Sequence, residues 1–168
     1  MPLEPTIEAV RDAAEALRPF VHKTPVLTCG ALDRMCGAEL FFKCENFQKG
    51  GSFKVRGATN AVFSLTDQEA ARGVATHSSG NYGAALALAA RWRGIRAYVV
   101  VPRNAAPVKL EAMTEYGADV TFCEPTLEAR ESGLEDVVAR TGATFLHPYN
   151  NHAVIAGQGT AALELCEE

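Results

Sequence analysis

From residue 73 onward the chain repeats one unit: a short apolar run, then a helical stretch closed by glycine. "GVATH" leads into "NYGAALALAARWRG", "AYVVVP" into "PVKLEAMTEYG", "DVTFCE" into "TLEARESGLEDVVARTG", and "TFLHP" closes the series. The runs begin about two dozen residues apart, which leaves room for one helix between each pair. Strands joined in this way lie parallel, with right-handed crossovers. Runs such as Tyr98 to Val101 are apolar throughout, as strands covered on both faces should be. The predicted fold class is α/β, a parallel sheet of about four strands with flanking helices in a three-layer αβα arrangement. Pro107 falls in the first turn of its helix, and Gly94 and Gly117 just past helix ends. The expected core is Val74, Leu86, Val99, Val100, Val101, Leu110, Val120, Phe122 and Leu146.

The flanks do not share this rhythm. Residues 6 to 18 read as a helix with Ile7, Val10, Ala14 and Leu17 on one stripe and Pro19 as its stop. "TPVLTC" and "ELFFKCE" read as short strands separated by a polar stretch containing Gly37. Ser52 is the expected N-cap of a helix near 53–65, with Phe53, Ala61 and Leu65 on its stripe. A final helix is expected to start near Gly159 or Thr160. Residues 46–147 therefore read as a small αβα domain. Residues 1–45 and 148–168 read as incomplete parts of a second, larger domain.

Several function classes drop out. Hydrophobic residues make up 48% of the 168 and charged residues 21%, a globular composition. A net charge of −4 argues against the basic face of a nucleic-acid binder. No run reaches the roughly 18 apolar residues of a membrane span, and the N-terminus does not read as a signal peptide. Five cysteines without a CxxC read as reduced thiols in a cytoplasmic protein. His22, His77, His147 and His152 show no HExxH, so no metal site is expected. His77 and His147 end strands and read as loop or core histidines. "GQG" at 157–159 lacks the third glycine of a dinucleotide loop, because position 162 is alanine.

Two stretches could carry chemistry. "THSSGNYG", residues 76–83, follows a strand and opens a helix, at the strand end where open α/β sheets bind ligands. It offers helix N-terminal N–H groups to an anion, with Ser78, Ser79 and Asn81 as added donors. It reads equally as an ordinary Ser/Asn cap with turn glycines. Lys54, in "GGSFKVRGA", is either a solvated lysine in a helix's first turn or a Schiff-base amine. Desolvation by Phe53 and Val55 and a cation such as Arg56 would favour the second. Arg130 is a solvated helix residue, or a carboxylate clamp if its helix edge faces the cleft.

Taken together, "KTPVL", "LFFKCENFQKGGSFKVRGA", "THSSGNYGAALA", "VVVP", "GADVTFCEP" and "HPYNNHAVIAGQGT" resemble the fold-type II pyridoxal-phosphate enzymes. The likeness is to the serine/threonine dehydratase and serine racemase family, of tryptophan synthase beta-like fold, and runs through nearly the whole chain in family order. It implies that Lys54 carries pyridoxal 5'-phosphate covalently, with Phe53 packed near the cofactor and Asn81 bonded to its phenolic oxygen. It implies that the loop Ser78, Ser79, Gly80, Asn81 and Tyr82 holds the substrate carboxylate on main-chain N–H groups. Ser79 matches the serine that works opposite the lysine in racemases, and Arg130 an arginine near the substrate. The implied activity is dehydration of hydroxy amino acids such as L-serine and L-threonine to 2-oxo acid and ammonia, with serine racemisation beside it.

The sequence departs from the family pattern at Tyr82, where histidine or phenylalanine is usual, and at Ala84, where glutamine is common. Family members run about twice as far. The phosphate-gripping glycine loop, the pyridine-nitrogen partner and the divalent-cation carboxylates seen in serine racemases are not found here. The chain is expected to hold the lysine half of a site, homodimeric when complete. The alternative is a non-catalytic α/β module that pairs with a full-length relative.

Overall fold

The computed structural model describes residues 5–167. Its centre is a four-stranded parallel sheet of β3 (Val74–His77), β4 (Ala97–Pro102), β5 (Asp119–Cys123) and β6 (Thr144–Phe145), in the order β5-β4-β3-β6. The crossovers are α5 (Asn81–Arg93), α6 (Pro107–Glu115) and α7 (Leu127–Thr141). Side chains of β4 alternate between two cores. Tyr98 and Val100 pack with Leu134 and Val137 of α7, while Val99 and Val101 pack with Ala84 of α5 and Met113 of α6. This alternation is the period of two of an extended strand, and it makes the three layers. Pro107 stands at the first position of α6, and Gly94 and Gly142 cap α5 and α7 in the left-handed conformation.

Six of the nine expected core residues are buried: Val74, Leu86, Val99, Val100, Val101 and Leu146. Val120 and Leu110 are only half-buried, and Phe122 is 46% exposed. The reason is strand order. β5 is an edge strand, so its side chains lack a neighbour on one flank, whereas β4 and β3 lie inside the sheet. On α6 only Met113 is buried, under Gly83 of α5.

Around this sheet lie α1 (Ile7–Leu17), β1 (Val26–Leu27), α2 (Gly30–Cys36), β2 (Phe42–Lys43), α3 (Lys54–Phe63), α4 (Asp67–Ala71) and α8 (His152–Cys166). The expected strands near 24–29 and 39–45 shrink to two residues each, paired antiparallel. The polar stretch between them contains α2, ended by Gly37 at φ 66°. α4 also escaped the sequence reading, although Thr66 and Glu69 form a capping box that spells it.

The helix expected at 53 behind a Ser52 cap starts one residue later, at Lys54. Ser52 is extended and buried, and Phe53 occupies the cap without a side-chain bond. Gly50 and Gly51 both sit at φ 71°, a conformation costly for any other residue, and deliver the chain into α3. The buried face of α3 runs through Val55, Ala58, Ala61 and Val62, with Phe53 outside it.

The last helix starts at His152, not at Gly159 or Thr160. Asn151 caps it, its Oδ1 accepting from Val154 N at 3.1 Å. Gly157 and Gly159 are helix interior here because α8 crosses α3 and α1 closely. A Cβ on Gly157 would lie 2.7 Å from both Arg56 O and Gly57 Cα, and one on Gly159 3.0 Å from Val10. The "GQG" glycines thus serve helix packing.

Candidate active site

The β3–α5 turn is built by Ser78. Its N–H donates to Val100 O at 3.0 Å, tying the turn to β4. Its hydroxyl accepts from Gly80 N at 3.3 Å and Gly83 N at 3.1 Å. The hydroxyl therefore folds the turn, and what remains for a ligand is main chain. Among the described residues, the N–H groups of Ser79, Asn81 and Tyr82 make no hydrogen bond. A Cβ placed on Gly80 would meet nothing within 4 Å, so the turn is open on that side. Unpaired N–H groups at the start of a 13-residue helix attract negative charge.

Ser79 and Arg130 come together. Both line one cavity of about 320 Å³, with Pro102, Asn104, Ala105, Ala106 and Pro125. The walls belong to three successive βα turns at the carboxyl edge of the sheet. Arg130 lies in the first turn of α7, half-buried, with its Nε donating to Thr126 O at 3.3 Å. Its two terminal nitrogens make no hydrogen bond or ion pair among the described residues. Asn104 was not picked out from the sequence. The signal for it was position alone, in the loop after β4.

Lys54 and Phe53 do not line that cavity. They open α3, which packs along α5. Val55 and Tyr82 share one core cluster, which brings the starts of the two helices to the same region. The Lys54 Nζ lies 4.8 Å from the Phe53 ring centroid. Arg56 is not the neighbouring cation that the sequence suggested. It stands two residues on, about 200° round the helix. Its charge is taken up by Glu45 and Glu164.

The residues present suit pyridoxal phosphate on structural grounds. Asn81 Oδ1 and the Tyr82 hydroxyl are buried with no hydrogen-bond partner. Burial also pushes the Tyr82 phenol above its ordinary range, so it stays protonated. Buried polar atoms without partners are rare and call for one. A lysine amine, unpaired main-chain N–H donors and the unpartnered acceptor oxygen of Asn81 form a polar set suited to an aldehyde cofactor and an acid. No group of three or more His, Cys, Asp or Glu side chains among the described residues is placed to hold a metal ion. No helix among them is long and apolar enough to cross a membrane.

Behind the sheet edge, His77 and His147 form an aromatic cluster with Phe145 and Tyr149. His147 Nδ1 accepts from Tyr149 N at 3.3 Å and Asn150 N at 2.9 Å. Burial lowers both imidazoles below their ordinary range, and Arg130 and His147 lower His77 further against the pull of Glu131.

Known proteins match this chain closely. The sequence pattern of a family described as pyridoxal-phosphate dependent enzyme matches residues 17–168. A serine racemase of Oryza sativa subsp. indica is 51% identical over 162 residues, 96% of this chain and 48% of the relative. A beta-hydroxyaspartate dehydratase of Paracoccus denitrificans is 52% identical over 164 residues, 98% of this chain and 52% of the relative. The solved structure of maize serine racemase superposes with a TM-score of 0.95 at 46% identity, covering 99% of this chain and 50% of that one. The chain spans about half the length of the curated relatives it matches. With the family pattern running through all but its first 16 residues, the chain belongs to the pyridoxal-phosphate dependent enzymes.

Proposed function

We propose that this chain supplies the lysine-bearing part of an enzyme that dehydrates hydroxy amino acids such as L-serine and L-threonine to 2-oxo acid and ammonia, and that also racemises serine. The observation that carries this reading is the shared cavity of Ser79 and Arg130, beside the unpaired N–H groups that open α5. The likeness to racemases and to a dehydratase supports it.

Pyridoxal phosphate, when bound, supplies an electron sink for the charge left at the substrate Cα. Lys54 would hold the cofactor through its amine and would serve as the base that takes the proton from the substrate Cα. The N–H groups of Ser79, Asn81 and Tyr82 hold the substrate carboxylate, helped by the positive end of α5. The Asn81 amide would hydrogen-bond the cofactor's phenolic oxygen, and Phe53 would pack beside the cofactor. Arg130 and Asn104 face the substrate side chain from across the cavity. Elimination needs a base on one face only, plus a proton for the departing hydroxyl. Racemisation needs groups on both faces, and the exposed Ser79 hydroxyl serves the face opposite Lys54. In this reading residues 46–147 form the small domain, and residues 1–45 and 148–168 belong to the larger one.

Borohydride reduction of the protein with pyridoxal phosphate, followed by peptide mapping, is expected to find the pyridoxyl group on Lys54. Label on Lys43 or Lys49 in its stead overturns the assignment. Lys54→Ala abolishes ammonia release from L-serine and L-threonine.

A further inference from the structure

Arg56 has no exposed surface, and every nitrogen of its guanidinium is engaged. Nε and Nη2 donate to the two oxygens of Glu45, each at 2.8 Å. Nη1 and Nη2 donate to the two oxygens of Glu164 at 2.7 and 2.8 Å. Thr160 Oγ1 and His22 O accept the remaining contacts at 3.1 and 3.2 Å. Lys43 completes the cluster, 2.8 Å from Glu164 and donating to Thr24 O at 2.7 Å. Thr24 in turn donates to Glu45 at 2.6 Å. Two cations and two carboxylates thus share one network. They come from β2, the turn after it, α3 and α8.

We infer that Arg56 is a positioning residue that aims Lys54, by fixing the rotation of α3 about its own axis. The inference rests on the role proposed for Lys54. Lys54 and Arg56 share the first turn of α3, so a rotation that moves one moves the other. A planar guanidinium that grips two carboxylates on two edges fixes direction, which a point charge cannot. The same helix meets α8 closely, with Gly57 N donating to Gln158 Oε1 at 3.1 Å. A Cβ on Gly57 would lie 2.6 Å from Val154 O. α3 cannot roll towards α8 without collision, and the Arg56 grip stops it rolling away. Buried ion clusters add little net stability over apolar packing, and their best-attested use is to specify one arrangement. Here the arrangement specified is the direction of the amine two residues earlier.

The test labels the purified protein with pyridoxal phosphate under borohydride and reads, by mass spectrometry, the yield at Lys54 relative to Lys109 on the same molecule. Circular dichroism and the thermal midpoint report folding separately. For Arg56→Lys, which keeps the charge but not the fork, the Lys54:Lys109 ratio is expected to fall at least ten-fold in folded protein. Glu164→Gln, nearly isosteric, is expected to lower it about three-fold, and decides the matter should Arg56→Lys not fold. A lower thermal midpoint with an unchanged ratio means that Arg56 is structural only, and overturns the inference. Wild-type protein that takes no label at Lys54 overturns the proposed function and this inference with it. Labelled wild type with indifferent variants overturns the inference alone.

Discussion

Gly157→Ala is the sharpest probe of the α3–α8 crossing. The added methyl would sit 2.7 Å from Arg56 O, 2.7 Å from Gly57 Cα and 2.8 Å from Asn60 Cβ. Unstrained carbon contacts lie near 3.5–4.0 Å, so the helices must separate by about 1 Å. None of the three atoms is the end of a flexible side chain that could swing aside. Overpacking of this kind costs about 1–3 kcal/mol, and three rigid contacts place it near the top. Alanine returns about 1 kcal/mol of helix propensity. The net loss is about 2 kcal/mol, a fall of about 4–8 °C in thermal midpoint for a domain of this size. Far-UV circular dichroism during heating measures it. Gly30→Ala is the control, since its methyl meets only Arg34 Nη1 at 3.6 Å and should change stability by less than about 0.5 kcal/mol. If Gly157→Ala melts with Gly30→Ala, the crossing yields freely and the packing argument fails.

Four further outcomes follow from the structure. Ser78→Ala removes the acceptor of two main-chain N–H groups and should cost about 1 kcal/mol in thermal stability. Ser79→Ala should leave stability unchanged, and should suppress D-serine formation far more than pyruvate formation. Equal losses of both products would count against Ser79 as the opposite-face acid. His77 and His147 are held below their ordinary range by burial, so their folded form prefers neutral rings. Their stabilising contribution is present above about pH 6.5 and is lost as pH falls through the depressed values. The thermal midpoint should drop between pH 7 and 5, and His147→Asn, which keeps an acceptor without titrating, should flatten that drop. An unchanged slope in the variant refutes the assignment. Leu27, Phe41 and Phe42 are exposed on the β1–β2 ribbon, so the isolated 168-residue chain should self-associate. A monodisperse 18.0 kDa species in sedimentation velocity would contradict this.

What the sequence determined by itself was local. Each βα unit announces its strand by an apolar run, its helix by the stretch that fits between two such runs, and its end by a glycine in the left-handed conformation. These signals lie within one turn or one strand of the residues they control, so β3 to β6 and α5 to α7 could be read directly. The β3–α5 turn was legible for the same reason, because Ser78 and Gly80 shape it from within. Short elements were not, since α2 and α4 carry too few residues for a period to show. Tertiary structure alone decided three things. It made β5 an edge strand and left Phe122 exposed. It brought Ser79, Asn104 and Arg130 to one cavity from three separate turns. It buried Arg56 between Glu45 and Glu164, where the sequence suggested a cation beside Lys54. Each depends on partners far along the chain, whose meeting is fixed by strand order and by the bare-backbone contact of Gly57 and Gly157. A pattern confined to neighbouring residues does not contain that information.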